Sequence, residues 1–534
     1  MVATVMGERI FIYDTTLRDG GQTQGVDFGA ADKTAIAREL DALGVDYIEA
    51  GWPGANPTDD ATFASPPELT TARLVAFGMT RRSGRSVEND PGLAAVVNSG
   101  APVACLVGKA WDFNVETALG IEMDENIAMI AESIAYAKSK VGEAMFDAEH
   151  FFDGYKDNPE FALACAEAAY DNGARWVVLC DTNGGALPHE IEAIVAAAAK
   201  RIPGDHLAIH CHNDSGTAVA NSLAAVRAGV RQVQGTLNGL GERCGNADLA
   251  SLLPNLMLKM GYETGVTSDG LRHLTHATRV LDERLNRAHD RHQPYVGEAA
   301  FAHKGGLHVS AIAKDPRTYE HIEPHVVGNR RTVVVSDQAG RANILARFAE
   351  LGIEIDADSP KIRRLVALVK EREAAGYAYD GAAASFELLA RRTLGSVPDY
   401  FDLISFRVLD EQRTNARGEA VTLSEATLKV MVKGEQVMTV AEGNGPVDAL
   451  GHGLRKALIG SYETLADVRL IDYKVRILTP EAGTGATTRV MIESEDGGGR
   501  RWSTVGVSTN VIAASYDAMH DAITYRLMRD GMKR

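Results

Sequence analysis

The sequence predicts a TIM (β/α)8 barrel, followed by a mainly helical segment and a C-terminal α+β module. Three observations carry this expectation. Short β-branched and aromatic runs alternate with longer Ala/Leu/Glu stretches at helical spacing over the first 250 residues, and eight such units fit that length. The polar and charged residues gather just past the C-terminal ends of the short runs, the end at which barrel active sites form. No glycine-rich dinucleotide fingerprint follows the first run, which disfavours an open doubly wound sheet.

In order, the runs predict strands over Ile10–Asp14, Tyr47–Ala50, Leu74–Gly78, Val103–Val107, Ala144–Glu149, Trp176–Asp181, Leu207–His212 and Gln232–Leu237. Between the first two, Ile36, Ala37, Leu40 and Leu43 mark one face of a helix that Gly44 stops. The barrel is expected over residues 1–275 and a helical segment over 276–399, interrupted by "FAHKGGLHVSAI". From 400 to 534 the pattern is a β-rich block and a helix, twice. Strands are expected at Leu403–Leu409, Thr427–Val432 and Gln436–Val440 with a helix over Val447–Leu458. Strands at Val468–Ile477, Arg489–Ile492 and Ser503–Val507 follow, with a helix over Val511–Leu527. This reads as a duplicated α+β module.

Composition narrows the function classes. The 534 residues are 45% hydrophobic and 24% charged, ordinary for a soluble globular chain. A net charge of −17 argues against nonspecific binding to nucleic acid or an anionic membrane, while leaving room for a local basic pocket. The five cysteines form no CxxC pair, no apolar run reaches 18 residues, and no charged-then-apolar leader is seen. A cytoplasmic protein with reduced thiols is therefore expected.

The chemistry lies in the strand ends. The first strand runs into "DTTLRDGGQ", the sixth into "DTNGG", the seventh into "HCHND" and the eighth into "NGLGERCGNADL". His210 and His212, two apart on a strand, present both imidazoles on one face. Either they are a chance pair on a polar strand end or, with Asp19 as carboxylate, they form a two-histidine, one-carboxylate metal site to which Asn246 can add an amide oxygen. A metal hydrolase of the amidohydrolase type would carry its HxH after the first strand, whereas here the pair comes late. Arg18 is either a surface partner of Asp19, worth little, or a guanidinium for a substrate carboxylate or a developing oxyanion. Glu149 and Thr182 are strand-end groups that either anchor loops or face the site. Asp14, still within its strand, supports the ligands from behind.

Together these motifs, with "HKGGLHVSAI" (His303–Ile312), "TYEHIEPHVVGN" (Thr318–Asn329) and the C-terminal "GNGPVDALGHGLRKAL" (Gly443–Leu458), resemble the 2-isopropylmalate, homocitrate and citramalate synthase family of metal-dependent, aldolase-like barrels. The resemblance covers nearly the whole chain in the family's order. The segment "GVDFGAADKTAIARELDALGVDYIEAGWPGANPTD" (Gly25–Asp59) is most like the longer citramalate-forming members.

The resemblance implies an acyltransferase that turns an acyl group into an alkyl group. It would condense acetyl-CoA with pyruvate and hydrolyse the thioester, giving (R)-citramalate and CoA in isoleucine biosynthesis. The alternatives are a larger 2-oxo acid, as in 2-isopropylmalate or homocitrate synthase, and, from another class, a retro-aldol lyase on the same barrel. Carried over position by position, Asp19, His210, His212 and Asn246 match the metal site. Arg18 contacts the 2-oxo acid, Thr182 binds substrate, and Glu149 is an active-site carboxylate. His308 and Tyr319 form a catalytic pair contributed by the subdomain, while His303 is a cofactor contact or loop scaffolding. The ligand set suits Mn2+, Zn2+, Co2+ or Mg2+. A homodimer, regulated by isoleucine through residues 400–534, completes the expectation.

Overall fold

The computed structural model describes residues 8–333, 341–356, 358–414 and 416–533. The chain forms two compact units, one of Met1–Phe301 with Ile322–Arg331, the other of Ala302–His321 with Thr332–Arg534.

In the first unit eight parallel strands close into a barrel in sequence order. They are β1 (Phe11–Asp14), β2 (Tyr47–Gly51), β3 (Arg73–Met79), β4 (Val103–Lys109), β5 (Glu143–Glu149), β6 (Trp176–Asp181), β7 (Leu207–Cys211) and β8 (Gln232–Gly235). All eight lie where the sequence predicts them, with ends shifted by at most two residues. Ladder pairs Tyr13↔Tyr47 and Tyr13↔Gln234 tie β1 to β2 and to β8, which completes the ring.

The runs look uniformly apolar because both strand faces are buried. Ile12, Ile48, Leu106, Phe146, Leu179 and Ile209 point outward and pack under the helices. Tyr13, Tyr47, Val75, Cys105, Met145, Trp176, Val178 and Ala208 fill the interior. Along β2, β5 and β7 the inward series then changes character. Tyr47 is followed by Glu49, Met145 by Asp147, and Ala208 by His210. An apolar lower layer thus supports a buried polar upper layer.

The first helix, Ala30–Leu43, buries the predicted Ile36, Ala37, Leu40 and Leu43 and ends at Gly44 with φ +97°. The last long helix of the unit, Ser268–Arg284, buries Leu271, Leu274, Ala277 and Leu281 and is capped by Thr267, whose side chain accepts from Gly270 N.

In the second unit, β9 (Ala302–His303) pairs with β10 (Thr332–Val333). Helices Arg341–Glu350, Pro360–Ala374 and Ala383–Leu394 share a core of Ile344, Phe348, Leu365, Val369 and Phe386. The duplicated pattern is real. Antiparallel β11 (Phe401–Thr414), β12 (Ala420–Val432) and β13 (Glu435–Gly443) precede helix Pro446–Leu458. Antiparallel β14 (Arg469–Ile477), β15 (Thr488–Glu495) and β16 (Arg501–Ser508) precede helix Val511–Arg529. Their shared core includes Leu428, Val430, Leu450, Leu454, Val490, Ile492 and Trp502. The first strand of the module runs longer than predicted because its ladder with β12 extends from Phe401↔Val432 to Thr414↔Ala420. Among the described residues no helix is long and apolar enough to cross a membrane.

Candidate active site

Asp19 lies just past β1 and His210 on β7, where period two turns its ring into the barrel mouth. Asp19 Oδ2 is 3.2 Å from His210 Nε2 and 4.0 Å from His212 Nε2, and one donor atom from each of the three lies within 4.8 Å of the other two. His212, expected as the last residue of the strand, falls one residue beyond the end of β7. There β8 has already ended, and His212 makes an isolated bridge with Asn246 instead. That bridge brings the predicted fourth ligand beside the histidines. Asn246 donates through Nδ2 to Leu240 O at 3.1 Å, while its buried Oδ1 has no hydrogen-bond partner.

The donors suit a divalent cation. His210 Nδ1 lies 3.1 Å from Gln234 Oε1. An amide oxygen only accepts, so Nδ1 carries a proton and Nε2 is the atom turned toward Asp19, where a cation would take the place of its proton. Burial, reinforced by neighbouring His210, pushes His212 down to about 3, so it is a neutral imidazole at working pH. Burial would raise the Asp19 carboxyl, but Arg18 and the two histidines outweigh it and hold the group well below the usual carboxylate range. An ionised oxygen, two imidazole nitrogens and an orphaned amide oxygen form a donor set that fits a divalent cation.

Arg18 is not a surface partner. Its Nε donates to Glu49 Oε1 at 2.6 Å, and its guanidinium carbon lies 3.8 Å from the Phe77 ring centroid. Glu49 Oε2 in turn accepts from Tyr13 Oη at 2.5 Å. Nη1 of Arg18 stays 3.7 Å from Asp19 Oδ1. Burial pushes up the carboxyls of both Glu49 and Asp147, and burial lifts Asp14 to about 7 despite hydrogen bonds from Thr16. Asp14 accepts from Thr16 N and Oγ1 at 2.9 and 2.7 Å, and Thr16 Oγ1 also accepts from Leu237 N at 2.8 Å. This stitches the β1 loop to the β8 loop.

Glu149 closes β5 and ion-pairs with Lys109 at the end of β4. The next residue, His150, has φ +60°, and its backbone N donates to Thr182 Oγ1 at 2.8 Å. Thr182 therefore does anchor a loop. Glu149 borders a cavity of about 350 Å3 with Arg81, Lys109 and Trp52, and Arg18 borders one of about 400 Å3 with Lys33, Asn56 and Trp52. The indole of Trp52 borders both.

His308 and Tyr319 belong to the second unit. His308 lies in helix Gly306–Ile312, and its ring stacks on Tyr319 with centroids 4.1 Å apart. His303 Nε2 is 3.0 Å from Glu320 Oε1.

At the site the closest approaches are made by glycines of the β8 loop, although in the first motif a Cβ on Gly20 would also come within 3.2 Å of Leu240 Cβ. A Cβ on Gly241 would lie 2.3 Å from Asn246 Nδ2, and one on Gly245 would lie 2.0 Å from Gly239 O, with φ of +153° and +86°. By contrast a Cβ on Gly21 would make only ordinary contact at 3.6 Å. Sequence reasoning places Glu49 and Asp147 among the polar strand ends at the barrel mouth without giving them a role, and does not single out Gln234. The signal was present, since Glu49 and Asp147 continue the inward series of their strands.

The HMGL-like family matches residues 9–277, the homocitrate synthase post-HMGL domain-like family residues 295–376, and the LeuA allosteric (dimerisation) domain residues 380–527. The (R)-citramalate synthase of Aquifex aeolicus is 51% identical over 98% of this chain and 99% of its own. That of a Synechocystis species is 48% identical over 97% and 96%. The 2-isopropylmalate synthase of the same Aquifex is 30% identical over 98% and 97%. With matches of this extent, the chain belongs to the HMGL-like family, in the group whose curated members are named (R)-citramalate synthase.

Proposed function

We infer that the chain condenses acetyl-CoA with pyruvate and hydrolyses the resulting thioester to give (R)-citramalate and CoA. The observation that carries this reading is the gap in likeness to two synthases of one organism, 51% against 30%. In this reading the barrel spans residues 1–275, a helical subdomain 276–399, and a regulatory module 400–534.

Asp19, His210, His212 and Asn246 would hold a divalent cation. When bound, that cation supplies Lewis-acid polarisation of the 2-oxo acid. Arg18 aims its positive charge at the oxygen on which negative charge grows, and Glu49, Tyr13 and Phe77 keep it there without reorganisation. Thr182 keeps a hydroxyl proton to donate to a substrate oxygen. Glu149, or the stacked His308–Tyr319 pair, takes the methyl proton from acetyl-CoA. The enolate carbon attacks the ketone, and water then cleaves the thioester. The cysteines are all unpaired, four of them buried, which accords with a reducing cytoplasm.

Steady-state CoA release with a panel of 2-oxo acids tests the substrate. Pyruvate should exceed 2-oxoisovalerate in kcat/KM by more than the ~10–200-fold that one methylene commands, because the larger acid adds a branched group. Equal or better rates with 2-oxoisovalerate would move the chain to the isopropylmalate branch.

The match of residues 380–527 to an allosteric domain supports an effector there, and isoleucine is the expected ligand. Calorimetric titration of the full chain should show heat of binding for isoleucine above that for leucine or valine. No heat for any of the three, with unchanged activity, leaves the module without an amino-acid effector.

A further inference from the structure

Away from the barrel mouth, on the outer helical layer, a second group of ligand-type side chains converges. Glu39 projects from helix Ala30–Leu43, and His273 and His276 project from helix Ser268–Arg284. Three residues apart on a helix, the two histidines are surface neighbours, and their rings lie 4.7 Å apart. Both Nε2 atoms are directed at the same carboxylate oxygen. Glu39 Oε2 is 2.7 Å from His273 Nε2 and 3.7 Å from His276 Nε2, and the three donor atoms lie within 4.8 Å of one another.

A hydrogen bond accounts for the first contact, while the second, at 3.7 Å, is beyond hydrogen-bond reach and within ion-pair distance of the same oxygen. A shared cation accounts for both. Tetrahedral bonds of ~2.0–2.1 Å put ligand atoms ~3.3 Å apart, between the two nitrogen–oxygen distances observed. His276 is 61% exposed, Glu39 27% and His273 31%, which leaves room for water at the remaining coordination position. Two imidazoles and one carboxylate favour Zn2+, Co2+ or Ni2+ over Mg2+ or Ca2+.

We propose that Glu39, His273 and His276 form a second, structural transition-metal site. It joins the first long helix of the barrel to the last, and so staples the chain where β1 meets β8. The site shares no residue with the barrel mouth, so its metal serves stability and not turnover.

The test uses full-length protein stripped with a chelator and dialysed against micromolar free Zn2+ or Co2+, with bound metal counted by mass spectrometry. Wild type should bind one more equivalent per chain than His276→Gln, and the double variant His273→Gln/His276→Gln should match the single one. An Asp19→Ala variant should retain this equivalent, which separates it from the metal of the mouth. Zn2+ should raise the Tm of the Asp19→Ala protein and should not raise that of Asp19→Ala/His276→Gln, while His276→Gln alone keeps wild-type kcat. Because His276 is mostly exposed, its replacement should fold normally, which circular dichroism checks. Equal metal counts in wild type and His276→Gln, or a Tm response to Zn2+ that survives the substitution, would overturn the proposal.

Discussion

At the residue scale, the arrangement around Arg18 decides what the barrel mouth can do. A guanidinium in water would be mobile and screened. Here Glu49 takes its Nε and Phe77 covers its face, so its charge acts at short range in a low dielectric. The cost is that Glu49 itself sits at 0% exposure and depends on Arg18 and Tyr13 for partners. Glu49→Ala leaves a buried guanidinium without its carboxylate. The variant should lose ~3–5 kcal/mol of stability, as is typical when one partner of a buried pair is removed. Its kcat/KM for pyruvate should fall at least tenfold, since Arg18 is then free to turn toward Asp19. Denaturant unfolding and steady-state rates check both. Wild-type kcat/KM in a folded Glu49→Ala protein would show that Arg18 is held by other contacts.

At the element scale, the loop into β3 is fixed by one side chain of the first helix. Asp41 Oδ2 accepts from Thr70 N and Oγ1, both at 2.7 Å. Its Oδ1 accepts from Thr71 N at 2.9 Å, Thr71 Oγ1 at 2.8 Å and Ala72 N at 2.7 Å. Burial alone would raise this carboxyl, but the backbone and hydroxyl donors reverse that and hold it well below the usual range. Asp41→Ala should therefore cost ~1–3 kcal/mol, the penalty for groups left without their charged partner. A carboxyl depressed in the folded state stabilises fully above its unfolded pKa of ~3.9, and the contribution is lost as pH falls through the lower folded value. The gap between wild type and Asp41→Ala, read from urea midpoints, should be constant near neutrality and narrow only below about pH 4. A gap that instead closes between pH 7 and 5 would assign the effect to another group.

At the scale of the whole molecule, the second unit leaves apolar side chains in the open. Leu409 on β11 is 57% exposed, Met438 on β13 59%, and Val475 and Ile477 on β14 48% and 57%. β11 and β13 edge the first sheet and β14 edges the second, and long edge strands with exposed apolar side chains seek a partner. The match of this region to a dimerisation domain gives the same direction. We expect the full-length chain to sediment as a dimer, and a Leu409→Asp/Val475→Asp double variant to shift to monomer with the barrel still folded. A wild-type monomer at micromolar concentration would leave these strands covered by something other than a second copy.

The alternation of strands and helices, the C-terminal placement of charged motifs and the doubled strand–helix block are local patterns. Periodicity and turn chemistry write them into the sequence, so the barrel and the duplicated module were both readable there. The pairing of Asp19 with His210 was readable too, because a barrel brings all strand ends to one rim. What the tertiary structure alone decided is which groups meet across that rim and over the outer helices. Glu49 could be placed at the end of its strand, but its role appeared only when closure of the ring set it against Arg18, 31 residues away. Asn246 gained its orphaned oxygen only when its loop folded back on His212. Glu39 and the two histidines are 234 and 237 positions apart. No local spacing rule joins them, and only packing of the first helix on the last brings their donor atoms together.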